Sequence, residues 1–318
     1  TFRANLAYAR YWEGRGSLAS MGSKFADVAL QVRMFSTSAE GRQDECRALD
    51  MEVTHLLSLL HALCIQTLRH DAIYKDAQNN LVPDDPDSVP PLDVTRGDFW
   101  HSLAPDYKED ALQTFYRAAK LPVIGGLRPE ESDSLYGDQG NRAFSVDGYT
   151  TRGRQRLDTE RSAKVMEAIG RIVADSAKSG LLDAPAPIIS RTFQVLSEGH
   201  ERGYMFARKI SSTPFPFPFA QAIELFTFVF AFSVPFLFSA WLDGAVPVAA
   251  FTFVTSWCYL AMNEVSRMLE EPFGGDANDL PLARMQYEFN RRIERSDYAD
   301  KYGGDYLKRQ HSSVRTTS

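Results

Sequence analysis

Glu52-Val53-Thr54-His55 carries the Glu-x-x-His spacing used by di-iron carboxylate bundles, because residues three apart on a helix project from one face. That chemistry needs a second copy and two further carboxylates on facing helices, and no second Glu-x-x-His occurs in the chain. A partly exposed structural pair beside an apolar stripe is the expected reading. His61 and His70 share the stretch but lack metal-ligand spacing to another histidine. There is no Gly-x-Ser-x-Gly, no phosphate-binding loop and no dinucleotide-binding glycine pattern. Cys46, Cys64 and Cys258 are too few and too scattered for a disulfide framework or a zinc site. An enzyme reading has little to stand on.

Two other stretches say more. Thr213-Pro214-Phe215-Pro216-Phe217-Pro218-Phe219 sets prolines at alternate positions, which forbids a helix until about Pro218, where proline suits a first helical turn. The phenylalanines then project from a stiff, extended segment. They read either as an aromatic belt at a membrane boundary or as the lining of a pathway. In a pathway, positive ring edges face an anion while the apolar ring bodies deny it water. The second stretch, Glu270-Glu271-Pro272-Phe273-Gly274-Gly275-Asp276-Ala277-Asn278-Asp279, offers the oxygen donors that calcium takes. It lacks the EF-hand spacing, so spacing alone favours a solvated acidic cap and keeps a calcium site as the alternative.

These segments need helices to position them. The chain has 318 residues, with 35 Lys and Arg against 41 Asp and Glu and a pI near 5.6, which argues against a dedicated nucleic-acid binder. Its 44% hydrophobic and 24% charged residues are those of a folded protein. The mean hydropathy of -0.28 conceals two uncharged runs, residues 225–242 and 245–262, joined by Asp243-Gly244. Each reaches about 18 residues, the threshold for a membrane span. The bland reading is a pair of buried core helices. Trp241, Trp257 and Tyr259 near the segment ends, and Pro235 and Pro247 within them, favour a membrane hairpin. Arg202, Arg208 and Lys209 precede the hairpin and Arg267, Arg284, Arg291 and Arg292 follow it, while its turn has no Lys or Arg. Both flanks therefore belong on the cytoplasm-like face.

The remainder reads as helical. Residues 2–32 form one long helix or two, and residues 42–71 another, with Leu56, Leu57, Leu60, Leu63 and Cys64 as its apolar stripe. Helices are also expected over 104–121, over 159–179 with a stop at Gly180, and from Ala184-Pro185-Ala186-Pro187 to about Ile210. Residues 81–98, with four prolines and Asp84, Asp85 and Asp87, read as a solvated loop, and 309–318 as a disordered polar tail. The opening, Thr1 to Arg15, has the character of a helix in mid-course, so more membrane-facing helix is expected upstream. The fold class is all-α, an integral membrane helical bundle subunit.

The chain resembles the bestrophins, specifically the plant, algal and bacterial branch of these anion channels. The resembling pieces are Phe2-Arg3 through Ala7-Tyr8-Ala9-Arg10-Tyr11-Trp12-Glu13-Gly14-Arg15, Leu57-Ser58-Leu59-Leu60-His61-Ala62-Leu63 and Leu121-Pro122-Val123-Ile124-Gly125-Gly126-Leu127. Further pieces are Pro187-Ile188-Ile189-Ser190-Arg191-Thr192-Phe193-Gln194, the run from Thr213 to Gln221, and Glu271-Pro272-Phe273-Gly274 through Asn278-Asp279-Leu280-Pro281-Leu282. Their order and spacing carry the resemblance together. It implies one bestrophin-like unit over 1–318: pore helix and its continuation over 1–32, a cytosol-side region over 33–210, the hairpin over 219–263, a post-membrane segment over 264–308 and the tail. It also implies a homopentamer in membrane lipid, passing chloride, bicarbonate or other monovalent anions, with no nucleic-acid partner. By motif position Phe2 falls in the narrow hydrophobic neck and Phe215 at the cytosolic aperture. Asp276 and Asp279 match the carboxylates of the family's calcium clasp, and Met268 and Glu271 its backbone carbonyl positions. Glu271 departs from the amide residue of animal members, which leaves a backbone ligand unaffected. A chloroplast thylakoid is the membrane the likeness favours, with a plasma membrane second. The competing function is a membrane-anchored helical scaffold without conductance, and a di-iron membrane oxidase comes third.

Overall fold

The computed structural model of the chain describes residues 2–36, 41–69, 73–75, 81–83, 121–136, 151–213, 216–273 and 278–294. The expected helix over 104–121, the acidic segment after Pro83 and the tail lie outside the described residues, save Leu121. The proline-free opening forms one unbroken helix, α1 (Phe2–Ser36), about 52 Å long at 1.5 Å per residue. Leu18, Met21, Phe25, Val28 and Val32 recur three and four apart along it and are all buried. Leu6, Tyr8, Trp12, Leu30 and Met34 are exposed on other sides.

The helix α2 (Gln43–Leu68) starts with Asp44 and Glu45 in its first turn, where the helix dipole favours carboxylates. Its apolar residues do not form a single stripe: from Val53 to Ile65 every residue is buried. A small antiparallel ribbon follows, β1 (Ile73–Lys75) and β2 (Leu81–Pro83), with Tyr74 opposite Val82. The polar region before residue 158 holds two helical pieces that the sequence reading left as loop. One is the short α3 (Pro129–Tyr136); the other is the start of α4 (Thr151–Lys178), which begins eight residues earlier than expected. Gly180, at φ 68°, closes α4 with Leu181 donating to the Ser176 carbonyl at 2.9 Å.

Pro185 and Pro187 then open α5 (Ala186–Glu198), as proline in a first turn does. The helix widens into a π segment (Gly199–Met205) and resumes as α6 (Phe206–Ser212). This composite rod packs along α1, and the approach is very close. A Cβ placed on Gly203 would lie 2.5 Å from Met21 Cβ and 2.6 Å from its Cα, and one on Gly199 would lie 2.8 Å from the Phe25 ring. On its other side α1 packs against α2 and α9 (Leu282–Ile293), so the core gathers around α2, with α4 closing it.

The hairpin consists of α7 (Phe217–Trp241) and α8 (Ala245–Leu269), with Gly244 at φ 100° in the turn. Among the described residues three helices are long and apolar enough to cross a membrane, and burial separates them. The most apolar window of α2 is 83% buried inside the protein, whereas those of α7 and α8 are 6% and 0% buried. The hairpin therefore presents its apolar surface outward, and α2 is a core helix. Trp257 and Tyr259 correct the expected belt: α8 continues to Leu269, so both lie near its middle, and Tyr259 packs on Phe230 of α7 at 4.4 Å between centroids. Only Trp241 ends a helix.

Candidate functional site

The first turns of α1, the end of α6 and the end of α8 converge at one junction. Phe2 is the first residue of α1, and next to it Arg3 is buried. Its guanidinium grips Glu270 with Nε on Oε1 at 2.5 Å and Nη2 on Oε2 at 3.2 Å, while Nη1 donates to Asn263 Oδ1 at 3.2 Å. Glu224 of α7 stands 3.9 Å from Nη1. Two turns further along α1, Arg10 Nη2 donates to the carbonyls of Ile210 at 2.9 Å and Thr213 at 2.8 Å. A cation there satisfies carbonyls that a helix end leaves open. Arg10 thus anchors the chain just before Pro214, and α7 starts at Phe217 with Pro218 in its first turn, as the prolines require. The side chain of Phe2, and Phe215 and Asp276 altogether, lie outside the described residues.

The loop after α8 is pinned to α1 a second time. Phe273 is buried, and its ring would meet a Cβ on Gly14 at 2.9 Å. Leu280 N–H donates to the Pro272 carbonyl at 2.9 Å, which closes the loop on itself. Met268 and Glu271 flank the end of α8; Glu271 is exposed, Asp279 is buried, and Asn278 Nδ2 approaches Met268 Sδ at 3.5 Å. Pro272 has no N–H, so the Met268 carbonyl lacks its i+4 helical donor. Among the described residues no group of three or more His, Cys, Asp or Glu side chains is gathered for a metal. Asp279 is the buried carboxylate of this loop among the described residues.

A model of the family described as Bacterial/Fungal Bestrophin protein matches residues 127–295, just over half of the chain. The chain belongs to the bestrophin family. Among solved structures it is similar to a point mutant of a bacterial bestrophin homologue from Klebsiella pneumoniae, with 15% identity, a TM-score of 0.60, and 92% of this chain and 80% of that one covered. A second crystal structure of that homologue, obtained by Zn-SAD phasing, gives 16% identity and a TM-score of 0.59 over the same shares. At such identity it is the fold that is shared. No curated protein sequence matches the chain. With the outward-facing hairpin, bestrophin membership makes this an integral membrane protein.

In this bestrophin both residues of the Glu-x-x-His pair are held in ion pairs, and His55 is buried where the sequence reading expects a partly exposed pair. Glu52 takes a two-point grip from Arg128, at 2.8 and 2.6 Å, which holds its carboxyl below the usual range. His55 Nε2 lies 2.7 Å from Glu131 Oε1 and Nδ1 lies 2.6 Å from the Ile124 carbonyl. Both partners are acceptors, an arrangement that favours the protonated ring donating at both nitrogens. Burial pushes its pKa down, but the bonds to Glu131 and Ile124 outweigh this and the net direction is up. One network escaped the sequence reading. His61 Nδ1 meets Gln286 Oε1 at 2.5 Å and stacks on Phe289, while Gln286 and Asn290 amides reach the Pro122 carbonyl at 3.1 and 2.8 Å. Ser58 Oγ donates to Asn290 Oδ1 at 2.8 Å and accepts from Ile124 N–H at 3.0 Å. The signal was Gln286-x-x-x-Asn290 on the apolar face of an amphipathic helix, where amides survive burial only if they have partners.

Proposed function

We propose that this bestrophin is the subunit of a homopentameric channel that passes chloride, bicarbonate or another monovalent anion. The observation that carries the reading is the junction itself. A bilayer-length hairpin with an outward apolar surface is locked, through Arg3, to the long helix that carries Phe2. A ring of five such helices, each with an apolar constriction at Phe2, makes an anion shed water against ring edges, and helix-end dipoles supply attraction without a fixed cationic ring. Phe215, just after the Arg10-anchored Thr213, is the second constriction. The exposed Leu6, Tyr8 and Trp12 of α1 supply surface for the neighbouring subunits. Calcium held by Met268, Glu271, Asp276 and Asp279 would bias the loop after α8.

The membrane we favour is a chloroplast thylakoid, on the plant and algal likeness of the motifs. A plasma membrane is the second reading, and the bacterial and fungal scope of the matching family favours it. The test is current from the full-length protein in a planar bilayer under a chloride gradient, first with calcium and then with a chelator. The expected reversal potential lies near the chloride equilibrium value, and Phe2→Ala shifts the relative anion permeabilities. Loss of current on chelation supports the clasp; persistence makes the loop structural and leaves the channel standing. Silence from verified, inserted pentamers in both conditions would replace the channel with the scaffold.

A further inference from the structure

The charge beside the neck is an unusual choice for a position at the edge of an apolar hairpin. Arg3 is buried next to Phe2, and it touches all three elements that meet there: α1 through its own backbone, α7 through Glu224 and α8 through Asn263 and Glu270. A cation that served by attracting anions would stand open to them. Here Glu270 and Glu224 lie within 3.9 Å and Glu264 is within electrostatic reach, so the guanidinium is faced by carboxylates. Charge therefore does not explain the residue. Geometry does: the planar fork meets the Glu270 carboxylate at two points, a contact that fixes orientation as well as distance and that an ammonium cannot reproduce.

We propose that Arg3 is the positioning residue of the neck, setting the rotation of α1 at Phe2 against the hairpin through its two-point bond to Glu270. This assignment rests on the channel reading above and deepens it. A rotation of α1 by one residue step, about 100°, would carry the neighbouring side chain to the place of Phe2. A far smaller rotation changes which part of the ring an ion meets. Glu270 is also the residue between the Met268 and Glu271 carbonyls, so any change in that loop reaches the neck by the same bond.

The test uses the full-length protein in planar bilayers, with pentamer content and melting temperature checked for each variant. Arg3→Lys, which keeps the charge and loses the fork, and Arg3→Gln are each expected to shift the iodide-to-chloride permeability ratio at least threefold. Glu270→Gln is expected to shift it in the same direction, and the double variant Arg3→Gln with Glu270→Gln no further than either single change. Wild-type behaviour of Arg3→Lys beside a shifted Arg3→Gln would overturn the proposal in favour of a simple charge. Unchanged ratios in all variants, with only the melting temperature lowered, would overturn it in favour of packing. If the Arg3 variants do not assemble, Glu270→Gln decides alone, since it keeps size and one acceptor. Wild-type pentamers without current would overturn the channel reading, and this assignment with it.

Discussion

His55 and His61 stand on the same buried helix and respond to pH in opposite senses. The folded pKa of His55 lies above its ordinary 6.5, so the stability it contributes is complete below 6.5 and is lost as pH rises through the raised value. Burial pushes His61 down to about 4, against its bond to Gln286. The unfolded chain then takes up a proton that the folded one refuses, so stability falls as pH drops from 6.5 toward 4. At about 1.4 kcal/mol per unit this amounts to something on the order of 3 kcal/mol. Melting curves of the detergent-solubilised protein from about pH 5 to 9 are expected to peak between the two limbs. His55→Gln should flatten the alkaline limb and keep the acid one. An alkaline limb that survives the substitution would remove the imidazolium from His55. None of this was legible beyond the Glu-x-x-His spacing. The partners that decide both states, Glu131, Ile124 and Gln286, lie 69 to 225 residues away in sequence.

Among the elements, the contact of α1 with the π segment has the least slack. Gly203→Ala would push a methyl group into the backbone of Met21, and overpacking of that kind costs about 1–3 kcal/mol. Gly16, with nothing within 4 Å of a Cβ, is the control: alanine there should be neutral or stabilising by about 0.5–1 kcal/mol through helix propensity. Equal melting temperatures for the two variants would show that the helices separate more easily than the distances imply. The spacing Gly199-x-x-x-Gly203 was in plain sight as a sign of close helix approach, and it was not read. Starts and stops were read better, because Pro185, Pro187 and Gly180 act locally. The helix α8 runs on to Leu269, past the uncharged run that ends at Met262. Its last turns are polar, and Arg3 binds Asn263 within them and Glu270 at their C-cap.

For the molecule as a whole, the hairpin was legible because unbroken apolarity needs no partner to be recognised. Phe232, in the middle of α7 and 73% exposed, tests that reading. Arginine at a bilayer centre costs about 2.5–3.5 kcal/mol on insertion scales, so Phe232→Arg should raise the fraction released by alkaline extraction of membranes. Unchanged retention, with better behaviour in water, would mean that the outward face of α7 meets solvent. Composition alone could not sort α2 from the spans, since it is also long and apolar, and only its surroundings separate them.

That ambiguity has a consequence during synthesis. An insertion machinery reads helices as they emerge, and α2 emerges before α7 and α8. Of the helices that cover it, α1 is already made, α4 follows, and α9 arrives only after the hairpin. For most of translation, then, a bilayer-length apolar helix waits incompletely covered beside a lipid surface that would accept it. Asp50, His55, His61 and Gln66, buried along its length, make that wrong destination expensive while leaving the right one intact.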